Sequence, residues 1–174
     1  MASEGLGNRF DLAVGLSPYD TNAGAGTGKR VRMSRAAELT IVIFKGVGSG
    51  TDNPVITVQQ HTASTGGTST NLAIVDHYYQ KTGAPTLTGS ETWTRYAQAA
   101  GATITDPGGV TSATKEIIVA IPIHGQSLSD TYGWVSASIA DTGAAGAQLG
   151  AVLYVLTDLA VQRSPANLAN TLNG

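Results

Sequence analysis

The stretch GAGTGKR, Gly24–Arg30, is where residue types and spacing first suggest chemistry. Glycines that turn successive backbone N–H groups inward, followed by a lysine and a hydroxyl residue, cradle the phosphates of a nucleotide. That arrangement needs glycine five positions before the Gly-Lys pair and Ser or Thr directly after it. Ala23 and Arg30 stand at those two positions. The residues that follow, RVRMS, alternate like a strand, so no helix N-terminus faces the loop. The stretch reads as a connector.

Other chemistry is no better supplied. His61, His77 and His124 fall at or near strand ends, without the His-x-His spacing that would bring two ligands to one metal. Ser49, in GVGSG, lacks the Gly-x-Ser-x-Gly spacing of a nucleophile elbow. Ser127, Ser129 and Asp130, in GQSLSD, have no base at a fixed offset. A carboxylate pair for glycoside hydrolysis is defined by separation in space, which the sequence leaves open. We assign no catalytic residue, no metal ligand and no cofactor, and expect no enzyme activity.

The composition narrows the partners. Ten Lys and Arg against twelve Asp and Glu give a net charge of −2, too balanced for a nucleic-acid groove. No apolar run reaches the length that crosses a bilayer, so no membrane partner is expected. Cysteine is absent, which rules out disulfides and thiolate metal sites. MASEGLGNRF has no apolar core of a secretion signal, and the lack of cysteine fits a reducing cytoplasm or an assembly that needs no covalent help.

The elements that would position any site are strands. ELTIVIFKG, NPVITVQQHT, NLAIVDHYYQK, ETWTRYAQA, KEIIVAIPIH, YGWVSASIAD and AQLGAVLYVLTDL alternate or run apolar between Gly, Pro and Thr loops. With RVRMS they make about eight strands, the pattern of an antiparallel β-sandwich of jelly-roll type. Pro122 lacks a backbone donor, so its strand is expected to end on an edge or at a bulge. The expected organisation is an extended N-terminal arm and glycine-rich connector over 1–29, the sandwich over 30–160, and a polar tail over 161–174. The tail is expected to carry a short helical turn at Asn167–Leu172. Trp93 and Trp134 are read as core residues or intersubunit contacts, against the alternative of a sugar-stacking surface.

The succession from AAELTIVIFKGVGSGTDNPVITVQQHT through YYQKTG, ETWTRYAQAA, KEIIVAIPI and YGWVSASIADTG to AQLGAVLYVLTDL resembles virion structural proteins of tailed bacteriophages. It is most like small head proteins that decorate or cement the capsid, and the resemblance runs from Ala36 to Leu159. It implies a jelly-roll-like sandwich without cofactor, a homo-oligomer (a trimer), assembly in the host bacterial cytoplasm, and a place on the capsid exterior beside the major capsid protein. A neck or tail component, or a carbohydrate-binding module, remains the alternative reading.

Two surfaces follow from the residues themselves. KEIIVAIPIH and AQLGAVLYVL are apolar on both alternating faces, more than a sandwich with one wet face needs, so burial in an oligomer is expected. Met1–Asn22 is too apolar for a free tail and too interrupted by glycine for a core strand. Arg9, Phe10, Leu12 and Val14 are its candidate anchors for capsid attachment, with folding back onto its own sandwich as the equal alternative.

Overall fold

β-Branched and apolar residues at every second position commit most of this chain to pleated strands. The computed structural model describes residues 5–49, 53–105, 107, 113–143 and 146–173. In chain order the strands are β1 (Phe10–Asp20), β2 (Gly26–Thr27), β3 (Arg30–Arg32), β4 (Ala36–Lys45), β5 (Val55–His61), β6 (Ser69–Asn71) and β7 (Val75–Thr82). They continue as β8 (Thr94–Gly101), β9 (Thr103–Thr105), β10 (Ile117–His124), β11 (Trp134–Ile139), β12 (Leu149–Leu159) and β13 (Leu172–Asn173). Single 3-10 turns are the helical structure among the described residues, and no helix there is long and apolar enough to cross a membrane.

The strands form two antiparallel sheets. One has the order β1-β12-β4-β10-β7-β8. The other runs β13-β3-β11-β5-β6, with β2 also on β11 and β9 also on β5. The pairings are nested: β1 with β12, β3 with β11, β4 with β10, and β5 with β6 and β9. A chain doubled once into a long hairpin and then rolled gives this order, which is the jelly roll. The β7–β8 hairpin is an insertion that widens the first sheet beyond β10. Pro122 falls where β10 still pairs with β4 but its pairing with β7 has ended at Ala120, so the missing donor costs no ladder bond there.

Alternation fills the space between the sheets. Leu39, Ile41 and Ile43 of β4, Ile117, Val119, Ile121 and Ile123 of β10, and Val152, Tyr154 and Leu156 of β12 point inward. Ile56 and Val58 of β5 and Val135, Ala137 and Ile139 of β11 meet them from the other sheet.

Several boundaries differ from the sequence reading. The expected arm is largely a strand: Phe10–Asp20 forms β1, paired with β12 from Phe10↔Thr157 to Asp20↔Leu149. Its glycine does not break it, because Gly15 supplies room for a neighbour: a Cβ there would lie 2.6 Å from the Tyr154 ring. Two register shifts absorb Gly15 and Pro18 while the strand continues. The connector is also structured, since Gly26 and Thr27 pair with Ile139 and Ser138 of β11. The tail closes on the second sheet through Leu172↔Val31 and Asn173↔Arg30, and its turn is Pro165–Asn167 instead of Asn167–Leu172. The sandwich therefore extends beyond 30–160 at both ends. Residues 1–4 and 174 of the expected arm and tail lie outside the described residues.

Candidate functional site

The outward positions of the six-stranded sheet make an apolar field. Because the strands pair in register, side chains line up in rows across the sheet. Val14, Leu153, Val42, Ala120, Tyr79 and Arg95 form one such row, spanning all six strands. Leu12, Val155, Thr40 and Pro122 form the next. On the other side lie Ala151, Phe44, Ile118 and Lys81, the last with its ammonium 5.2 Å from the Trp93 ring centre. Among the described residues charge lies at the margins of this face, as Lys81, Arg95 and His77 with Asp76 on the β7–β8 side and the exposed Glu38–His124 contact (3.6 Å) at one end.

Within this field Val14 is 43% exposed, Leu153 42% and Phe44 40%. The twelve uncharged positions of these rows cover roughly 400 Å², from strand spacings of ~4.8 Å and a two-residue repeat of ~6.8 Å. That is the size of the largest apolar patch on an ordinary monomer.

The four expected attachment residues divide between a turn and this face. Phe10, Leu12 and Val14 share the outward side of β1, with Phe10 half-buried at the strand's start. Arg9 is exposed in the turn before β1, where its backbone N–H donates to the Gly5 carbonyl at 2.7 Å. Asp11, between the anchors, points inward, and its Oδ1 accepts from the Leu12 N–H at 2.8 Å. β1 is the outermost strand of its sheet, so Phe10, Leu12 and Val14 lie at a sheet edge.

The candidate chemical groups are placed apart. His61 is buried, its Nδ1 and Nε2 each 2.8 Å from a serine hydroxyl, Ser69 and Ser136 respectively. His77 contacts Asp76 at 2.6 Å on β7, and His124 lies at the end of β10. Among the described residues no group of three His, Cys, Asp or Glu gathers in a way that would hold a metal. The GQSLSD loop is clamped by Gln60, whose Oε1 accepts from the Ser129 N–H and whose Nε2 donates to the Ser129 hydroxyl, both at 2.9 Å. Gly28 and Lys29 of the glycine run lie under the Tyr154 hydroxyl, which donates to the Lys29 carbonyl at 2.9 Å. These contacts hold the sandwich together.

Burial lowers the His61 pKa from 6.5 to about 4, with the Arg30 charge acting in the same direction. Between those values the unfolded chain binds a proton that the folded chain excludes. The His61 contribution to stability is thus complete above pH 6.5 and declines as the pH falls toward about 4. In urea titrations at stepped pH, His61→Gln is expected to flatten that decline. An unchanged slope would place the acid sensitivity elsewhere.

The aromatic residues bear on the sugar-stacking alternative. Tyr78 and Tyr96 are stacked, 5.3 Å apart at 12°, but Tyr78 is only 6% exposed and offers no platform. Trp93 is 49% exposed and is not a core residue, so the intersubunit contact and the sugar-stacking surface are the expected roles left for it. The sequence reading missed the in-register apolar row itself. Its signal was present in the two-faced apolarity of β10 and β12, but the contributions of β1 and β4 depend on pairing partners far along the chain.

No protein-family model matches the sequence, and no curated protein matches it. Among solved structures there is a likeness to infectious bursal virus-derived T=1 particles, at 11% identity and a TM-score of 0.19. It covers 95% of this chain, and the chain spans 43% of the length of that protein. A similarity this low carries no argument about function.

Proposed function

We propose that the protein is a non-enzymatic structural subunit that assembles with copies of itself through the outer face of the six-stranded sheet. The observation that carries this reading is the row Val14–Leu153–Val42–Ala120, uncharged across four strands, with Val14 and Leu153 exposed and Val42 and Ala120 half-buried. Water ordered against such a surface is released when a second apolar surface covers it, at about 25 cal/mol per Å². Two such sets of rows bury about 800 Å² together, and the margins of the sheet would supply the rest of the ~1,000 Å² that a specific interface needs.

The finer role we propose is that of a capsid decoration protein on a tailed-bacteriophage virion, supported by the resemblance of Ala36–Leu159 to such proteins. A trimer seated on the head exterior would bridge neighbouring units of the major capsid protein. Each bridge adds contact area that must separate before the shell ruptures, and many weak bridges act together. Arg9, Phe10, Leu12 and Val14 remain the proposed anchors on the shell.

Light scattering of the purified protein at micromolar concentration is expected to give the mass of a homo-oligomer. Incubation with expanded heads is expected to add ordered exterior density by cryo-electron microscopy. A strict monomer would remove the interface reading. Density confined to the neck or tail would remove the decoration reading and leave the interface.

A further inference from the structure

Along the outer side of β1 runs a seam between the edges of the two sheets, with the tail as its opposite wall. At one end it opens into a cavity of about 250 Å³ lined by Asp11, Arg32, Arg35, Leu159, Arg163 and Leu168. From Asp11 it continues beside Leu12, Val14 and Ser17 to Lys29, with Leu168 and Leu172 on the opposite wall. Backbone bonds fix this frame: the Arg32 N–H donates to the Thr171 carbonyl, the Ala160 N–H to the Arg35 carbonyl, and the Arg163 N–H to the Gly7 carbonyl.

Four of the chain's ten cations line the seam, opposed by one carboxylate, that of Asp11. Arg35, Arg163 and Lys29 have no side-chain hydrogen bond or ion pair among the described residues, and Arg32 has only the Trp134 ring, 5.8 Å away. Cations along one groove, with Asp11 the one carboxylate in its lining, favour an anion laid between them. Guanidinium groups match carboxylates by paired N–H donors. The walls between the cations mix aliphatic side chains (Leu12, Val14, Leu168 and Leu172) with Ser17, Asn170 and Thr171, and the strand from Asp11 to Ser17 spans about 20 Å at ~3.3 Å per residue. The lining of both stretches contains no aromatic ring for a base to stack on, which sets the seam apart from a nucleic-acid channel.

We propose that the seam is a docking groove for an extended acidic segment of a partner protein, about six residues long, with alternate carboxylate and aliphatic side chains. The carboxylates pair with Arg35 and Arg163 at one end and Lys29 at the other, while the aliphatic groups rest on Leu12, Val14 and Leu168. This deepens the assembly reading by naming what the β1 edge binds, and it does not depend on self-association through the sheet face.

The test uses the full chain and a fluorescein-labelled peptide of alternating Glu and Leu, with the corresponding Gln and Leu peptide as control, read by anisotropy. The acidic probe is expected to bind at least tenfold more tightly than the neutral one, and to weaken at about 0.5 M salt. Arg35→Gln with Arg163→Gln, both exposed positions, is expected to reduce binding at least tenfold with an unchanged circular-dichroism spectrum. Hydrogen exchange on the wild-type protein is expected to show slowed amides confined to β1 and the tail when the acidic probe is bound. Equal binding of the two probes, no binding, full binding by the double variant, or tighter binding of an oligothymidylate would overturn the proposal. A monomeric protein that still binds the acidic probe would remove the sheet-face interface and leave the groove.

Discussion

Leu153→Asp is expected to convert the oligomer to monomers while leaving the sandwich folded. Leu153 is the second residue of the row that crosses the six-stranded sheet, between Val14 and Val42. It points outward, so an aspartate there remains hydrated in the isolated subunit and costs its fold little. In an assembled interface the same carboxylate would be desolvated without a partner, which costs about 3 kcal/mol or more. That corresponds to a dissociation constant raised on the order of a hundredfold. Light scattering across a concentration series measures the shift, and circular dichroism with urea unfolding checks the fold. Ser17→Asp, on β1 but outside the named rows, is the matched control and is expected to leave the mass unchanged. A Leu153→Asp protein that keeps the wild-type mass would show that the subunits meet elsewhere.

The sequence made the jelly roll visible because its signals are local. β4, β10 and β12 are β-branched, apolar runs bounded by loop residues, and each expected strand overlaps a strand of the structure. Asn71–Lys81 was read as one strand where the chain has two, β6 and β7, separated by the turn around Leu72–Ile74. Leu72 is buried in that turn, so an apolar residue there marks a loop packed onto the core. The larger difference is β1. Glycines at 15, 24, 26 and 28 read as interruptions, because a sequence shows the missing side chain and not the neighbour that fills its place. Leu12 and Val14 were legible as apolar residues in need of cover. The rows they join, Val14 with Leu153 and Val42 and Leu12 with Val155 and Thr40, were not, because the pairing that aligns them closes about 140 residues apart. The cationic seam escaped for the same reason, since Lys29, Arg32, Arg35 and Arg163 meet only when the tail returns to β3.

Tyr154 explains what two of those glycines do, and Gly28→Ala is expected to be among the most damaging single substitutions in the chain. The Tyr154 ring is fully buried between the sheets, with Gly15 against its face. Its hydroxyl accepts from the Ala137 N–H at 3.1 Å and donates to the Lys29 carbonyl at 2.9 Å. One phenol thereby ties β12 to β11 and to the glycine-rich segment, and burial pushes its pKa above the ordinary 10.0. A Cβ added at Gly28 would lie 2.0 Å from the Ala137 carbonyl oxygen and 3.0 Å from the Tyr154 hydroxyl. Backbone must move, because the blocking atom belongs to β11 and not to a flexible side chain. Overpacking of this kind costs about 1–3 kcal/mol, and separating the phenol from its two backbone partners adds about 1–3 kcal/mol for the buried groups left unpaired. For a chain of this length the sum lowers the melting temperature by roughly 10 °C. Tyr154→Phe isolates the second contribution, keeping the ring and orphaning the Ala137 N–H and the Lys29 carbonyl, and is expected to lose about 1–3 kcal/mol alone. If the phenol is already released in Gly28→Ala, the double variant should be less destabilised than the sum of its parts, a coupling that urea unfolding of all four proteins measures. Strict additivity, or a Gly28→Ala protein as stable as the wild type, would mean that this glycine is a passive connector after all.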